Sequence, residues 1–364
     1  MNILQRTPAS LAKNSFITPW RRALPFIASP WHLAFIDALL LIFYSPLILL
    51  ILWPYYGTDP SHELYFIDWR NVGALLWQFF LVFYAFVVIA FVGYVSFFGC
   101  LGLLPPHGIA AVVVGAIIVA IAWYLATRPL VYTSSCGIVF PHESWLFVNG
   151  VCAGRVWLKL NCEELAGMFG RRIVGINNRT FGFILDLFES IIQRCFGYTT
   201  DDARQLYAIA QRELRDRNNQ KVVLIAHSQG AIIASLVVDR LLASESLANL
   251  RKLELYTFAS AANHMHGQGD LSRIEHFVNR RDYFAQTGIL SYQPAVLTEN
   301  RYDGNIYIDE AGVGHLLNMH YLSTTFVAGG AAAASNMAIY LGGNGGLLGD
   351  GTGGGAGGGA EGEA

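Results

Sequence analysis

Between Arg70 and Arg128 no Asp, Glu, Lys or Arg interrupts the chain, and this 57-residue run constrains its architecture more than any other feature. Backbone inside hydrocarbon must satisfy its own hydrogen bonds, so so long an apolar run reads as membrane-crossing helix. Two segments, 74–104 and 108–127, each meet the roughly 20 apolar residues needed to cross a hydrocarbon core about 30 Å thick. Pro105-Pro106-His107 separates them. The first is longer than a crossing requires and is expected to tilt or extend into the interface. Upstream, 33–53 is a third span candidate, with Asp37 near one end, Pro46 inside, and Trp53, Tyr55 and Tyr56 following as interfacial aromatics. A cleaved signal peptide competes for this segment, but the stretch begins late and lacks a small-residue cleavage site. The expectation is three transmembrane helices, about 33–53, 74–104 and 108–127.

Composition agrees. Hydrophobic residues make up 54% and charged residues 14% of the chain, against roughly 25% charged in soluble globular proteins, and the mean hydropathy is +0.40. A net charge of -2 excludes a strongly basic nucleic-acid binder and an acidic disordered chain. Residues 1–32 form a basic segment of net charge +4, while the loop after the first span carries -2. The positive-inside rule puts the N-terminus in the cytoplasm. Three crossings then give an integral, multi-pass protein whose remaining domain is lumenal or extracellular. Asn178-Arg179-Thr180 is a glycosylation sequon in that domain. The five cysteines show no C-x-x-C spacing, so neither a disulfide framework nor a metal site follows from them.

Residues 128–330 carry 19 basic and 19 acidic residues and read as a soluble domain. Residues 331–364 read as a flexible Gly/Ala-rich tail, with 13 glycines in the last 23 positions. Within 128–330, strands are expected at 145–148, 172–176, 222–226, 253–258, 274–279 and 305–308. Helices are expected at 161–169, 181–194, 200–217 and 231–242. Strands alternating with helices indicate an α/β fold, a mostly parallel sheet with helices on both faces.

The chemistry concentrates at Ser228. An apolar strand from Lys221 runs into Ala226-His227-Ser228-Gln229-Gly230 and straight on into a helix. Such a strand–turn–helix is the setting of a nucleophile elbow, which needs small residues two positions either side of a serine whose Oγ stands above the sheet. The pattern A-x-S-x-G by itself recurs by chance in an Ala- and Gly-rich chain; its context gives it weight.

Here the sequence resembles the lipase-like α/β-hydrolases, specifically a fungal type with N-terminal membrane spans. The resemblance covers about 145–321. It rests on F-V-N-G at Phe147–Gly150, N-N-R-T-F-G at Asn177–Gly182, A-H-S-Q-G at Ala226–Gly230, F-V-N-R-R-D at Phe277–Asp282 and G-H-L-L-N-M-H-Y-L at Gly314–Leu322. It implies a Ser…Asp…His triad. Asp282 is the candidate acid because it closely follows a strand at the sheet's carboxyl end, where this fold gathers ligand groups. Asp270 and Asp303 follow strands less directly, and a surface ion pair of Asp282 with Arg280 or Arg281 is the bland alternative. The base is His315, with His320, five residues on, as its alternative. His227 is expected to pack or hydrogen-bond locally. His264 and His266 form an H-x-H without an evident third ligand. The oxyanion hole is expected from the backbone N–H groups of Gln229 and, by the resemblance, Val151, with Gly150 permitting close approach.

These readings add up to a membrane-anchored serine hydrolase cleaving an ester of a lipid or other apolar acyl substrate through an acyl-enzyme. They call for no cofactor and no metal, and the expected partners are the bilayer and the acyl ester. The alternative is a catalytically silent hydrolase-like membrane protein that binds a partner or lipid. A transporter fits poorly, because the spans hold a single charge, Asp37, near an end.

Overall fold

A computed structural model describes residues 29–100, 108–110, 113–117, 131–267, 269–294, 297, 302–327, 330 and 332–345. Its centre is a seven-stranded sheet in the order β1-β3-β2-β4-β5-β6-β7. The strands are β1 (Val131–Thr133), β2 (Glu143–Val148), β3 (Ile173–Ile176), β4 (Lys221–His227), β5 (Leu253–Phe258), β6 (Arg273–Arg281) and β7 (Asn305–Val313). All neighbours run parallel except β1, which pairs antiparallel with β3 at Tyr132 and Gly175. β1 has no counterpart in the sequence reading. Three half-exposed residues at a sheet edge carry almost no hydrophobic signal.

Both faces of the sheet are covered, which is why β4 reads as unbroken apolar sequence rather than alternating. Val222, Leu224 and Ala226 pack one way and Val223 and Ile225 the other, into two separate cores. On the first face lie α4 (Phe183–Phe196), α5 (Asp201–Arg215) and α6 (Gln229–Ser244). On the second lie α3 (Gly154–Phe169), a π-helical turn Leu317–Leu322 and a short 3-10 helix Met337–Gly343.

One boundary expected from composition moves. The segment from 331 was expected to open a flexible tail, yet Ala332, Met337 and Tyr340 are core residues, and the Tyr340 hydroxyl donates to Glu254 at 2.8 Å. Three spaced apolar side chains bury themselves despite the glycines around them. The rest of the tail, from 346, lies outside the described residues.

The N-terminal region also differs from three bare spans. Among the described residues one helix, α2 (Trp69–Cys100, 32 residues), is long and apolar enough to cross a membrane. The first expected span is instead α1 (Pro30–Phe43, 14 residues) followed by the 3-10 helix Ser45–Leu50. At about 1.5 Å per residue, α1 is too short for a crossing. Pro46, placed just after Phe43, cannot donate a helical hydrogen bond and helps to end it. α1 lies on the domain: Leu33 is fully buried, and Asp37 pairs with Arg194 of α4 at 2.6 Å. The third expected span, 108–127, falls mostly outside the described residues. α2 joins the domain too, with Leu81 and Ala85, one helical turn apart, buried beside α3 and α4. A side chain on Gly182, whose φ is +89°, would collide with Leu81. The loop between α1 and α2 is fastened by Glu63, which accepts from the Asn318 backbone at 2.9 Å and the Asn161 side chain at 2.8 Å. The N-terminal region and the α/β domain therefore share one packed body.

Candidate active site

The sheet order reverses between β2 and β4, so the chains leaving these two strands diverge and open a crevice at their carboxyl ends. Ser228 stands there, in the turn from β4 to α6. Its φ of 59° and ψ of -123° are strained for a residue with a side chain, as a nucleophile elbow requires. The turn is possible because a side chain at Gly230 would strike the carbonyls of Val148 and Asn149. Gly150, after β2, lets its backbone press against the Ser228 side chain.

His315 Nε2 lies 2.8 Å from Ser228 Oγ, and His315 Nδ1 lies 2.8 Å from Asp282 Oδ2. A carboxylate can only accept, so Nδ1 carries the proton and Nε2 presents its lone pair to the serine hydroxyl. Asp282 is almost fully buried and accepts further hydrogen bonds from Tyr321 Oη at 2.7 Å and the Phe284 backbone at 2.8 Å. Its expected surface competitors are engaged elsewhere: Arg280 pairs with Glu310 at 2.6 Å and Arg281 reaches the Ala311 carbonyl. Asp303 accepts from the Gly267 backbone, away from Ser228.

His320 points elsewhere. Its Nδ1 accepts from the Leu316 backbone at 2.9 Å, and burial lowers its pKa to about 4. It braces the loop that carries His315; a side chain at Gly314 would overlap its ring. His227 is a positioning residue that sequence reasoning left as local packing. Burial, and then the nearby His315, hold its pKa well below the usual value. Its Nε2 donates to the His315 carbonyl at 2.8 Å. The His315 backbone N–H donates to the Ile51 carbonyl at 3.0 Å, so the N-terminal segment holds the same loop from the other side.

The loops that flank Ser228 are braced by the motifs that were informative only by their order. Asn149 Oδ1 accepts from the Asn178 backbone at 2.6 Å, and Asn178 Nδ2 donates to Gln229 Oε1 at 2.8 Å. The sequon asparagine is thus buried and its amide used, which closes it to glycosylation in the folded chain. Asp186, pushed by burial up to about 6, accepts from the Cys152 backbone at 3.0 Å and steadies the turn that holds Val151. Asp186 and Ile51 escaped the sequence reading, since they act through folding contacts that no motif encodes; Tyr321 lies within the motif Gly314–Leu322 but was given no role there.

An apolar cavity of about 260 Å³ adjoins the site. His315, Val151 and Phe284 line its inner end, and Ile48, Leu52, Leu75, Phe79 and Val82 of the N-terminal segment and α2 line the rest.

The seven-stranded, mostly parallel sheet with helices on both faces makes a mixed α/β protein, consistent with an α/β-hydrolase fold. Among solved structures, it is similar to "esterase E25" at 12% identity and a TM-score of 0.34, covering 65% of this chain and 87% of that one. It is also similar to "esterase Est22" at 9% identity and a TM-score of 0.29, covering 57% and 82%. No family model matches the chain, and no curated protein matches it.

Proposed function

We propose that this chain is a membrane-bound serine hydrolase that cleaves esters with an apolar acyl group. The observation that carries the reading is the line Ser228 Oγ–His315 Nε2, 2.8 Å, continued by His315 Nδ1–Asp282 Oδ2, 2.8 Å. In the proposed mechanism His315 takes the Ser228 proton as Oγ attacks the acyl carbonyl, and Asp282 stabilises the resulting imidazolium. The backbone N–H groups of Gln229 and Val151 receive the oxyanion. His315 returns the proton to the departing alkoxide, and water, deprotonated by His315, then attacks the acyl-enzyme and releases the acid.

The acyl group lies in the 260 Å³ cavity, whose walls are α2 and the segment before it. Phe35, Ile42 and Phe43 of α1 and Phe83 and Phe86 of α2 stand exposed. In this reading α2 crosses the bilayer, α1 lies in its interface, and the substrate is an ester drawn from the lipid phase.

Labelling the full chain in membranes with a fluorophosphonate tests the reading. Wild type is expected to label and Ser228→Ala to lose the label; an unlabelled wild type beside reactive control hydrolases overturns it. Esters of graded acyl length test the pocket, with turnover rising from acetyl to longer chains.

A further inference from the structure

We propose a second site, a zinc site built from Asp239, His264 and His266, on the first face of the sheet and separate from Ser228. The H-x-H of the β5–β6 loop lacked a third ligand in sequence, and α6 supplies it. Asp239 Oδ2 lies 2.8 Å from His264 Nε2, and Asp239 Oδ1 lies 2.7 Å from His266 Nδ1. The three ligand atoms all fall within 4.8 Å of one another. Two ring nitrogens and a carboxylate form a donor set that suits zinc, with a fourth position for water.

The hydrogen bonds around His264 orient its ring as a metal ligand. The Asn263 side-chain amide donates to the Arg194 carbonyl at 2.8 Å, which turns its Oδ1 towards His264 Nδ1 at 2.7 Å. Nδ1 must therefore carry a proton. In the neutral ring Nε2 then aims a lone pair at the Asp239 carboxylate, an acceptor facing an acceptor. Either a second ring proton or a metal ion removes that conflict, and a metal ion uses the arrangement metal-bound histidines adopt, with the second ring nitrogen donating to an oxygen acceptor. Zinc bonds of about 2.0–2.1 Å in tetrahedral geometry separate donors by roughly 3.4 Å, so each carboxylate–imidazole pair opens by about 0.6 Å while donors up to 4.8 Å apart close towards that spacing. His264 is fully buried while His266 is part-exposed, which leaves an approach for the ion. A bound zinc ties the β5–β6 loop to α6, the helix that begins at the nucleophile elbow.

The test is equilibrium dialysis of the full chain, in detergent, against zinc chloride, followed by elemental analysis and thermal unfolding. Wild type is expected to retain about one zinc per chain and to melt higher with zinc than with chelator. His266→Ala and Asp239→Asn are expected to weaken zinc binding at least about tenfold. Fluorophosphonate labelling shows whether His266→Ala, the less buried change, is folded. Ser228→Ala is expected to keep its zinc, which separates this site from the proposed hydrolase. Wild type without saturable zinc binding, or a folded His266→Ala that binds zinc as wild type does, overturns the proposal and leaves a proton-held Asp–His cluster.

Discussion

The Asp282 carboxylate accepts from a histidine ring, a tyrosine hydroxyl and a helix-opening backbone N–H. Asp282→Asn leaves the shape but gives His315 Nδ1 a partner that can also donate, and turnover is expected to fall about 10⁴-fold, read by ester hydrolysis. His315→Ala removes the base, with an expected loss of at least about 10³-fold. His320→Ala is expected to keep Ser228 labelling while lowering the melting temperature; the reverse pattern in the two histidine variants refutes the assignment. Sequence carried Ser228 clearly, since a strand, a turn of small residues and a helix are all local signals. His315 was preferred to His320 only for its place just past the last strand; the contact that holds its loop, the Ile51 carbonyl more than 250 residues upstream, was not legible.

At the scale of elements, α4 links the site to the N-terminal region. Arg194 at its end pairs with buried Asp37 of α1 and also donates to the carbonyls of Ala261 at 2.6 Å and Thr287 at 3.0 Å. Removing one member of such a pair strands the other, so Asp37→Ala is expected to destabilise the chain by about 3–5 kcal/mol, measured by denaturant unfolding. One turn earlier, Glu189 receives a hydrogen bond from Gln229 at 3.1 Å. Burial, then the charges of Asp186 and Asp202, push its pKa up to about 8. A folded pKa above the unfolded value of about 4.3 gives stability that is whole below that value and is lost as pH rises towards 8. Wild type is therefore expected to melt progressively lower between about pH 5 and pH 8, and Glu189→Gln to flatten that slope. Equal slopes in the two proteins refute the assignment. Among elements, the six longer strands and the four domain helices were readable as alternating periodicity. α1 was not, because an apolar helix that docks and one that spans share a composition; Asp37, read as a tolerated charge, was the docking contact.

For the whole molecule, that docking bears on which side of the membrane the hydrolase domain occupies. Three crossings before residue 128 send the domain to the side opposite the basic N-terminal segment. Yet α1 is 14 residues long and held to α4 through Asp37, and the loop after it is pinned through Glu63 to the π-helical turn beside His315. A segment bound to the domain at both ends lies on the domain's side of the bilayer. If α2 and 108–127 are the two crossings, the chain leaves and returns, and residues 1–32, with net charge +4, share a side with Ser228. The positive-inside rule makes that side the cytoplasm. Protease added outside sealed microsomes is then expected to digest the domain, whereas protection until detergent is added restores three crossings. The same geometry lets one bilayer supply both the anchor and the substrate. α2 walls the cavity through Leu75, Phe79 and Val82 and exposes Phe83 and Phe86 nearby, so under the proposed function an ester from the lipid phase would reach His315 along that helix.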